Sequence, residues 1–142
     1  MEIEVTPKKR KFSRKYSIEL LRIAEGDFDS AKTLSKSKEG RKENVLFLAQ
    51  QSIEKCLKAV LCSLGEPILH THDIEALLAL LPDEIEAPSP SSLKSFTEYA
   101  TVRRYEEGYE ELTQADLKAS LKLVQSVLVW AKAVSQENIG KK

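Results

Sequence analysis

The sequence predicts an all-α protein, an antiparallel up-and-down bundle of four to five helices. Apolar residues recur at helical spacing in several segments, no alternating strand pattern is present, and residues 44–64 are apolar around most of their circumference. An ordinary surface helix needs an apolar stripe of about 100°, whereas the apolar side chains of residues 44–64 spread over roughly 220°. Such a helix must be covered on several sides, so we predict that it is the centre of the bundle.

Composition places the chain among single-domain globular proteins. It has 142 residues, with 22 Lys and Arg against 22 Asp and Glu, so nucleic acid would have to be bound by a local patch. Cys56 and Cys62 lie six residues apart on one helix, roughly 9 Å along its axis, which is too far for a disulfide. The chain has no apolar run of membrane-spanning length and no signal peptide, which predicts a cytoplasmic protein without membrane contact.

Three regions are predicted along the chain: a basic, flexible arm (1–16), the helical bundle (17–134) and a polar tail (135–142). The arm contains PKKRKFSRK, with six basic residues in nine. Such a run is typical of a solvated leader, the interpretation we favour, or of an RNA-contacting or nuclear-localisation segment.

The first helix is predicted from Ser17, as its N-cap, to about Lys36. Asp27 projects from the middle of its apolar face, and a carboxylate there needs a hydrogen-bond donor or a cation. The connection to the central helix is short, so these two helices should be antiparallel neighbours. Gly65 is the predicted C-terminal cap of the central helix.

Three further helices follow. A short one is predicted over 74–81, with Thr71 or Asp73 as its N-cap. The next should begin with Ser89 as N-cap and Pro90 as first helical residue, and run to about residue 105. The last should begin at a capping box of Thr113 and Asp116 and run to about residue 134.

His70 and His72 are the chain's two histidines. Together with Asp73 they offer a weak possibility of a metal site, but no third ligand follows at a recognisable spacing. A loop that shapes a helix start is the better interpretation, and no metal or other cofactor is predicted.

Helical geometry turns a set of polar side chains toward a shared interior: Asp27, Glu54, Lys58 and Arg103 or Arg104. The favoured interpretation is an ion-pair network that fixes the register of the helices, and the alternative is an anion or nucleotide site. A basic and aromatic group (Tyr99, Arg103, Arg104, Tyr105, Tyr109) could stack a base and pair with a phosphate. Four glutamates beside this group would repel phosphate.

Several motifs together resemble the HEPN domain family (higher eukaryotes and prokaryotes nucleotide-binding): AEGDFDSAKTL, FLAQQSIEKCLKAVLCSLGE, THDIEALL, TVRRYEEG and VLVWAK. The resemblance implies a bundle of four or five helices, a homodimer, and frequent association with a minimal nucleotidyltransferase in toxin–antitoxin modules. It also implies that polar or aromatic signature positions of the family are occupied here by Asp27, Glu54, Lys58, Arg104 and Tyr105.

Many HEPN ribonucleases carry an arginine followed four to six residues later by histidine. No histidine follows Arg103 or Arg104 here, so no imidazole is available there to move the 2′-hydroxyl proton. The expected function is therefore non-catalytic: binding of a nucleotide-type ligand, of a partner nucleotidyltransferase, or of both. The alternatives are an RNA-cleaving toxin with an atypical site that uses His70 or His72, and a purely structural helical scaffold.

Overall fold

The computed structural model describes residues 9–105 and 111–139, apart from the side chains of residues 104 and 105. Five helices follow one another in this part of the chain: α1 (Tyr16–Lys36), α2 (Glu43–Ser63), α3 (Ile74–Ala79), α4 (Pro90–Tyr105) and α5 (Gln114–Asn138). Two short strands, β1 (Lys9–Arg10) and β2 (Ile68–Leu69), pair antiparallel. The predicted all-α bundle is confirmed. No helix within the described ranges is both long and apolar enough to cross a membrane.

Helix α2 lies at the centre of the bundle, as its wide apolar surface predicts. Helices α1, α3, α4 and α5 all pack against it. Most of its large apolar side chains are buried, with Leu46, Ile53, Leu57 and Leu61 fully so, whereas Phe47 is 39% exposed. Removal of this apolar surface from water is the main favourable contribution to folding.

Helices α1 and α2 are antiparallel neighbours, as the short connection between them predicts. Midway along the pair, the Ser52 hydroxyl donates a hydrogen bond to the Ala24 carbonyl (2.7 Å). At the C-terminal end of α2, the Cys62 thiol donates to the carbonyl of Ser13, just before α1 (3.0 Å). The start of α1 therefore lies beside the end of α2.

Helix α5 runs in the same direction as α2. Beside the start of α2, the Lys42 ammonium donates to the Leu112 carbonyl, just before α5 (3.3 Å). Near the far end of α5, Lys132 pairs with Glu25 of α1 (2.9 Å). Helix α4 must return to the Leu112 end before α5 begins, so the long helices α1, α2, α4 and α5 alternate in direction.

Gly65 ends α2 in a Schellman motif and confirms the predicted cap. Its φ is 76°, a left-handed conformation that glycine adopts without steric cost. The Gly65 amide donates to the Cys62 carbonyl (3.0 Å) and the Glu66 amide to the Leu61 carbonyl (2.9 Å). The chain reverses here and continues into β2.

Two predicted helix starts are confirmed by side-chain hydrogen bonds. The Asp73 carboxylate accepts from the Glu75 amide (3.0 Å) and caps α3. At α5 the Thr113 hydroxyl accepts from the Asp116 amide (3.1 Å), while the Asp116 carboxylate accepts from the Thr113 amide (2.9 Å). This is the reciprocal capping box.

Of the other two predicted N-caps, the one at α1 needs correction. Helix α1 begins at Tyr16, and Ser17 lies buried inside its first turn because the chain already turns at Ser13, whose carbonyl accepts from the Tyr16 amide (3.0 Å). Pro90 is the first residue of α4, as predicted, and the Ser89 carbonyl accepts from the Leu93 amide (3.1 Å), so Ser89 occupies the predicted N-cap position. Its φ of 47° is left-handed instead of the extended conformation usual there.

Both ends of the predicted bundle carry further regular structure. Lys9 of β1 lies opposite Leu69, and Arg10 lies opposite Ile68, so part of the region assigned to the basic arm is paired with β2. Strands of two residues are too short to show the alternation by which strands are recognised. At the other end, α5 continues to Asn138, into the predicted polar tail.

Candidate functional site

Glu54 is the one charged residue of the described ranges whose side chain is completely buried. It lies on α2, among residues that otherwise form the core. Burying a carboxylate is unfavourable unless cations or hydrogen-bond donors surround it. Its neighbours therefore decide what the site can do.

Two lysines of the same helix contact the Glu54 carboxylate. The ammonium groups of Lys55 and Lys58 each lie 3.4 Å from its Oε2 atom. Lys58 reaches it from the next helical turn, and Lys55 also lies 3.5 Å from the amide oxygen of Gln51. The side chains of Lys55 and Lys58 are 22% and 12% exposed, so both lie at the edge of the core and are partly accessible.

His72 approaches the same carboxylate from the connection between β2 and α3. Its Nδ1 atom lies 3.1 Å from both carboxylate oxygens of Glu54. The connection is held by the Thr71 hydroxyl, which accepts from the Asp73 amide (3.1 Å), one residue beyond the histidine. The imidazole is 79% exposed although its Nδ1 edge meets a buried group.

This contact fixes the role of each nitrogen in the His72 ring. A carboxylate accepts hydrogen bonds, so Nδ1 must carry the proton that it donates to Glu54. In the neutral ring the Nε2 atom then keeps its lone pair. The buried carboxylate thus orients the imidazole, while the rest of the exposed ring can meet a ligand.

Asp27 of α1 completes this group, which we call the Glu54 cluster (Asp27, Glu54, Lys55, Lys58, His72). Burial raises the pKa of the Asp27 carboxyl, the positive charge of Lys55 opposes the rise, and the negative charge of Glu54 adds to it. The two carboxylates are close enough to influence one another. Protonation of Asp27 therefore makes the cluster more positive.

Arg103 lies in a different part of the bundle. Its guanidinium lies 5.9 Å from the centre of the Tyr99 ring, and its charge contributes to lowering the pKa of Asp116, after the hydrogen bonds from Thr113. Asp116 is in the first turn of α5, beside the start of α2, whereas Glu54 lies roughly 16 Å farther along α2. The predicted polar residues thus divide into the Glu54 cluster and an α4 end.

A comparison with known protein families identifies the family of this chain. The model of the HEPN domain family matches residues 18–134. This chain belongs to the HEPN family. The match begins after β1 and contains every residue of the Glu54 cluster. No curated protein matches the sequence.

A solved structure has the same fold as this HEPN domain. The crystal structure of TT1696 from Thermus thermophilus superimposes with a TM-score of 0.67 and covers 84% of this chain and 98% of that one. The two sequences are 20% identical, so the likeness concerns the fold.

The remaining predicted site residues of this HEPN domain have different positions. The side chains of Arg104 and Tyr105 lie outside the described part of the structure. His70 is exposed, and within the described ranges no group of three or more His, Cys, Asp or Glu side chains is arranged to hold a metal ion. Of the two histidines, His72 is the one that meets the Glu54 carboxylate.

Sequence reasoning did not pair His72 with Glu54, although a signal for that pairing exists. Glu54 lies nine residues before the end of α2, about 14 Å along the helix axis. The chain reverses at Gly65, and the seven residues from there to His72 can span about 23 Å when extended. A segment that runs back along α2 can therefore bring His72 level with Glu54. The contact of Lys55 with Glu54 was not predicted either.

Proposed function

We propose that this HEPN domain binds a nucleotide-type anion at the Glu54 cluster and does not itself cleave RNA. The observation that carries the proposal is the set of contacts around one buried carboxylate: the ammonium groups of Lys55 and Lys58 at 3.4 Å and the His72 imidazole at 3.1 Å. Groups that bind phosphate are thereby held together at the surface.

The charge of the cluster favours an anion. Lys55 and Lys58 balance the two carboxylates when both are ionised, and protonation of Asp27 removes one of the negative charges. An ammonium group binds phosphate as a compact charge with three donors, so the lysines can serve Glu54 and a phosphate oxygen together. The Glu54 carboxylate then keeps the cations in place before the ligand arrives.

Calorimetric titration of the purified protein with ATP, AMP and inorganic phosphate tests this proposal. Lys55→Ala and Lys58→Ala should each weaken nucleotide binding about tenfold, as expected for the loss of a charge-assisted hydrogen bond. Lys122→Ala is the matched control, because this exposed lysine of α5 carries the same charge away from the cluster. Arg103→Ala tests whether the α4 end contributes to the same site.

Two results would contradict a site at the Glu54 cluster. The first is that none of the three ligands binds the wild-type protein, which would favour an ion-pair network with a purely structural role. The second is that Lys122→Ala weakens binding as much as Lys58→Ala. A loss in Arg103→Ala alone would move the site to the α4 end, with Arg104 and Tyr105 as its further candidate residues.

The proposal includes the assembly expected from the family resemblance: a homodimer that binds a minimal nucleotidyltransferase in a toxin–antitoxin-like module. Light scattering after size-exclusion chromatography should give twice the mass of the 16.0 kDa chain. Co-expression with a nucleotidyltransferase encoded by the neighbouring gene should yield a stable complex. A monomer at all concentrations, or separate elution of the two proteins, would contradict this part.

RNA cleavage is the second candidate, and the orientation of His72 favours it. The Nε2 lone pair could accept the proton of an RNA 2′-hydroxyl, while the 2′-oxygen forms a bond to the adjacent phosphorus. The bond from phosphorus to the 5′-oxygen then breaks, and that oxygen takes a proton from water. The products are a 2′,3′-cyclic phosphate and a 5′-hydroxyl, and Lys58 could stabilise the charge that develops on the phosphate oxygens.

The two histidines provide a matched test of cleavage. Wild-type protein, His72→Ala, His70→Ala and Arg104→Ala are incubated with tRNA and mRNA. If the leading proposal holds, none of them cuts RNA. Cutting that His72→Ala abolishes and His70→Ala retains would replace it with the cleavage mechanism, and cutting lost in Arg104→Ala would point to the α4 end.

A further inference from the structure

The basic segment at the start of the described chain is paired with the strand that leads into the Glu54 cluster. Antiparallel pairing sets Lys9 against Leu69 and Arg10 against Ile68. Strand β2 leads directly into the connection that carries His72. The basic segment is therefore connected through β2 to the cluster, whose Glu54 lies about 14 Å back along α2 from its end.

Inward-facing groups anchor this segment to the end of α2. The Arg14 guanidinium donates to the Ser63 carbonyl (2.9 Å), and the Cys62 thiol donates to the Ser13 carbonyl (3.0 Å). A Cβ atom on Gly65 would lie 2.8 Å from the Arg14 Nη2 atom, so the guanidinium packs directly on the glycine. A cation at the carboxyl end of a helix also interacts favourably with the helix dipole.

The outward-facing residues leave a positive surface with an aromatic stack. Lys9, Arg10, Lys11 and Lys15 are exposed, and no acidic residue occurs from residue 9 to residue 18. The Arg10 guanidinium lies 4.8 Å from the centre of the Phe12 ring. Phe12 in turn stacks on Tyr16 with ring centres 4.8 Å apart and an angle of 13° between the planes. Tyr16 is 39% exposed.

We propose that residues 9–16 bind single-stranded nucleic acid. Lysine and arginine side chains pair with successive phosphates, and exposed aromatic and guanidinium planes stack on unpaired bases. We call the exposed members of this surface the basic track (Lys9, Arg10, Lys11, Lys15, Tyr16). It contacts a polymer along its backbone, whereas the Glu54 cluster is proposed to bind a single nucleotide-type anion.

The direction of the side chains favours nucleic acid over an anionic membrane. Binding in a membrane interface requires apolar side chains that point outward, together with basic ones. Here Phe12 packs against the protein core and the outward residues of the strand are lysine and arginine. Within residues 9–18, large apolar surface is exposed only by Tyr16 and Ile18, at the start of α1. The chain as a whole has no net charge, so its attraction for polyanions depends on this local surface.

Fluorescence anisotropy with a labelled 12-nucleotide oligouridine tests the basic track in the full chain. The double variant with Lys9→Ala and Lys11→Ala should weaken binding roughly tenfold at low salt and reduce the slope of log affinity against log salt by about 1.4. The control double variant has Lys118→Ala and Lys122→Ala, which remove equal charge from exposed positions on α5. Tyr16→Leu should weaken binding about tenfold, while Tyr16→Phe keeps the ring and should retain it.

Failure of this inference is distinguishable from failure of the proposed function. Lys55→Ala should weaken mononucleotide binding and leave oligouridine binding unchanged, and the Lys9→Ala, Lys11→Ala double variant should do the reverse. Absence of oligouridine binding by wild-type protein, or equal losses in the two double variants, would overturn the basic track. So would binding to vesicles of anionic lipid without binding to the oligonucleotide.

Discussion

The Glu54 cluster and the α4 end both bring charged side chains of neighbouring elements together, but by different means. At the α4 end, Arg103 lies over the ring of Tyr99, four residues earlier on the same helix, and Asp116 belongs to a capping box at the start of the next helix. At the Glu54 cluster, the carboxylate is fully buried and its histidine partner is 18 residues away.

This difference in burial determines how much each group of charges can contribute to the free energy of unfolding. Water screens the partly exposed charges of the α4 end, and interactions of that type contribute little to stability. The Glu54 carboxylate has no contact with water, so its interactions are stronger and the loss of a partner is more costly. We therefore expect the cluster to be the more sensitive of the two regions.

Removal of the buried carboxylate should have the largest effect. Glu54→Ala leaves two partly buried ammonium groups without their shared acceptor and a gap in α2. Because breaking a buried pair costs about 3–5 kcal/mol and the lysine tips can still reach water, we expect a loss of about 3 kcal/mol in the free energy of unfolding. Urea unfolding followed by circular dichroism measures it.

High salt sharpens this first prediction. In 1 M NaCl the loss in free energy of unfolding caused by Glu54→Ala should be nearly the same as at low salt, because salt screens exposed charges far more than buried ones. If Glu54→Ala lowers the free energy of unfolding by less than about 1 kcal/mol, Glu54 behaves like a residue of an ordinary surface ion pair. The Glu54 cluster would then be no more sensitive than the α4 end.

What could be predicted from the sequence follows the same division between local and distant contacts. The wide apolar surface of residues 44–64 predicts their central position, and the Thr113 and Asp116 box depends on residues three positions apart, so both follow from local spacing. The contact of His72 with Glu54 depends on a chain reversal, and the pairing of β1 with β2 joins residues far apart in sequence. Such contacts leave no periodic signal in the sequence.

The second prediction concerns Gly65, where the chain reverses toward His72. Gly65→Ala strains a backbone with φ of 76° and drives a Cβ to 2.8 Å from Arg14, so we expect a loss of about 1–2 kcal/mol in the free energy of unfolding. Gly26→Ala is the matched control, because no atom lies within 4 Å of its new Cβ and alanine favours the helix by about 1 kcal/mol. Thermal unfolding compares the two variants. Equal changes in melting temperature would show that neither the left-handed φ of Gly65 nor its contact with Arg14 affects stability.

The third prediction concerns the α4 end. Arg103→Ala removes the guanidinium from the Tyr99 ring and from the field of Asp116, and we expect a loss of less than about 1 kcal/mol in the free energy of unfolding. Urea unfolding at low salt and in 1 M NaCl measures it, and salt should reduce the part that comes from Asp116. A loss as large as that of Glu54→Ala would show that the two regions are equally sensitive.

The smallest expected effect concerns Asp27, the half-buried carboxylate of the Glu54 cluster. Burial, with the nearby charge of Glu54, raises its pKa above the ordinary 3.8 although Lys55 opposes the rise. The folded protein therefore holds this proton more tightly than the unfolded chain does. The contribution of Asp27 to stability is largest below pH 3.8 and is lost as the pH rises through the raised pKa.

Asp27→Asn cannot ionise, so it should be more stable than wild type at pH 7, by up to about 0.5 kcal/mol, and the difference should vanish below pH 3.8. Melting temperatures measured from pH 3 to pH 7 follow this difference. Asp29→Asn is the matched control, because Asp29 is exposed two residues away and pairs with Lys32 (3.4 Å), so its loss should bring no gain at pH 7. A wild-type protein more stable than Asp27→Asn at pH 7 would mean that attraction to Lys55 exceeds the cost of burial, and Asp27 would then be a stabilising partner within the cluster.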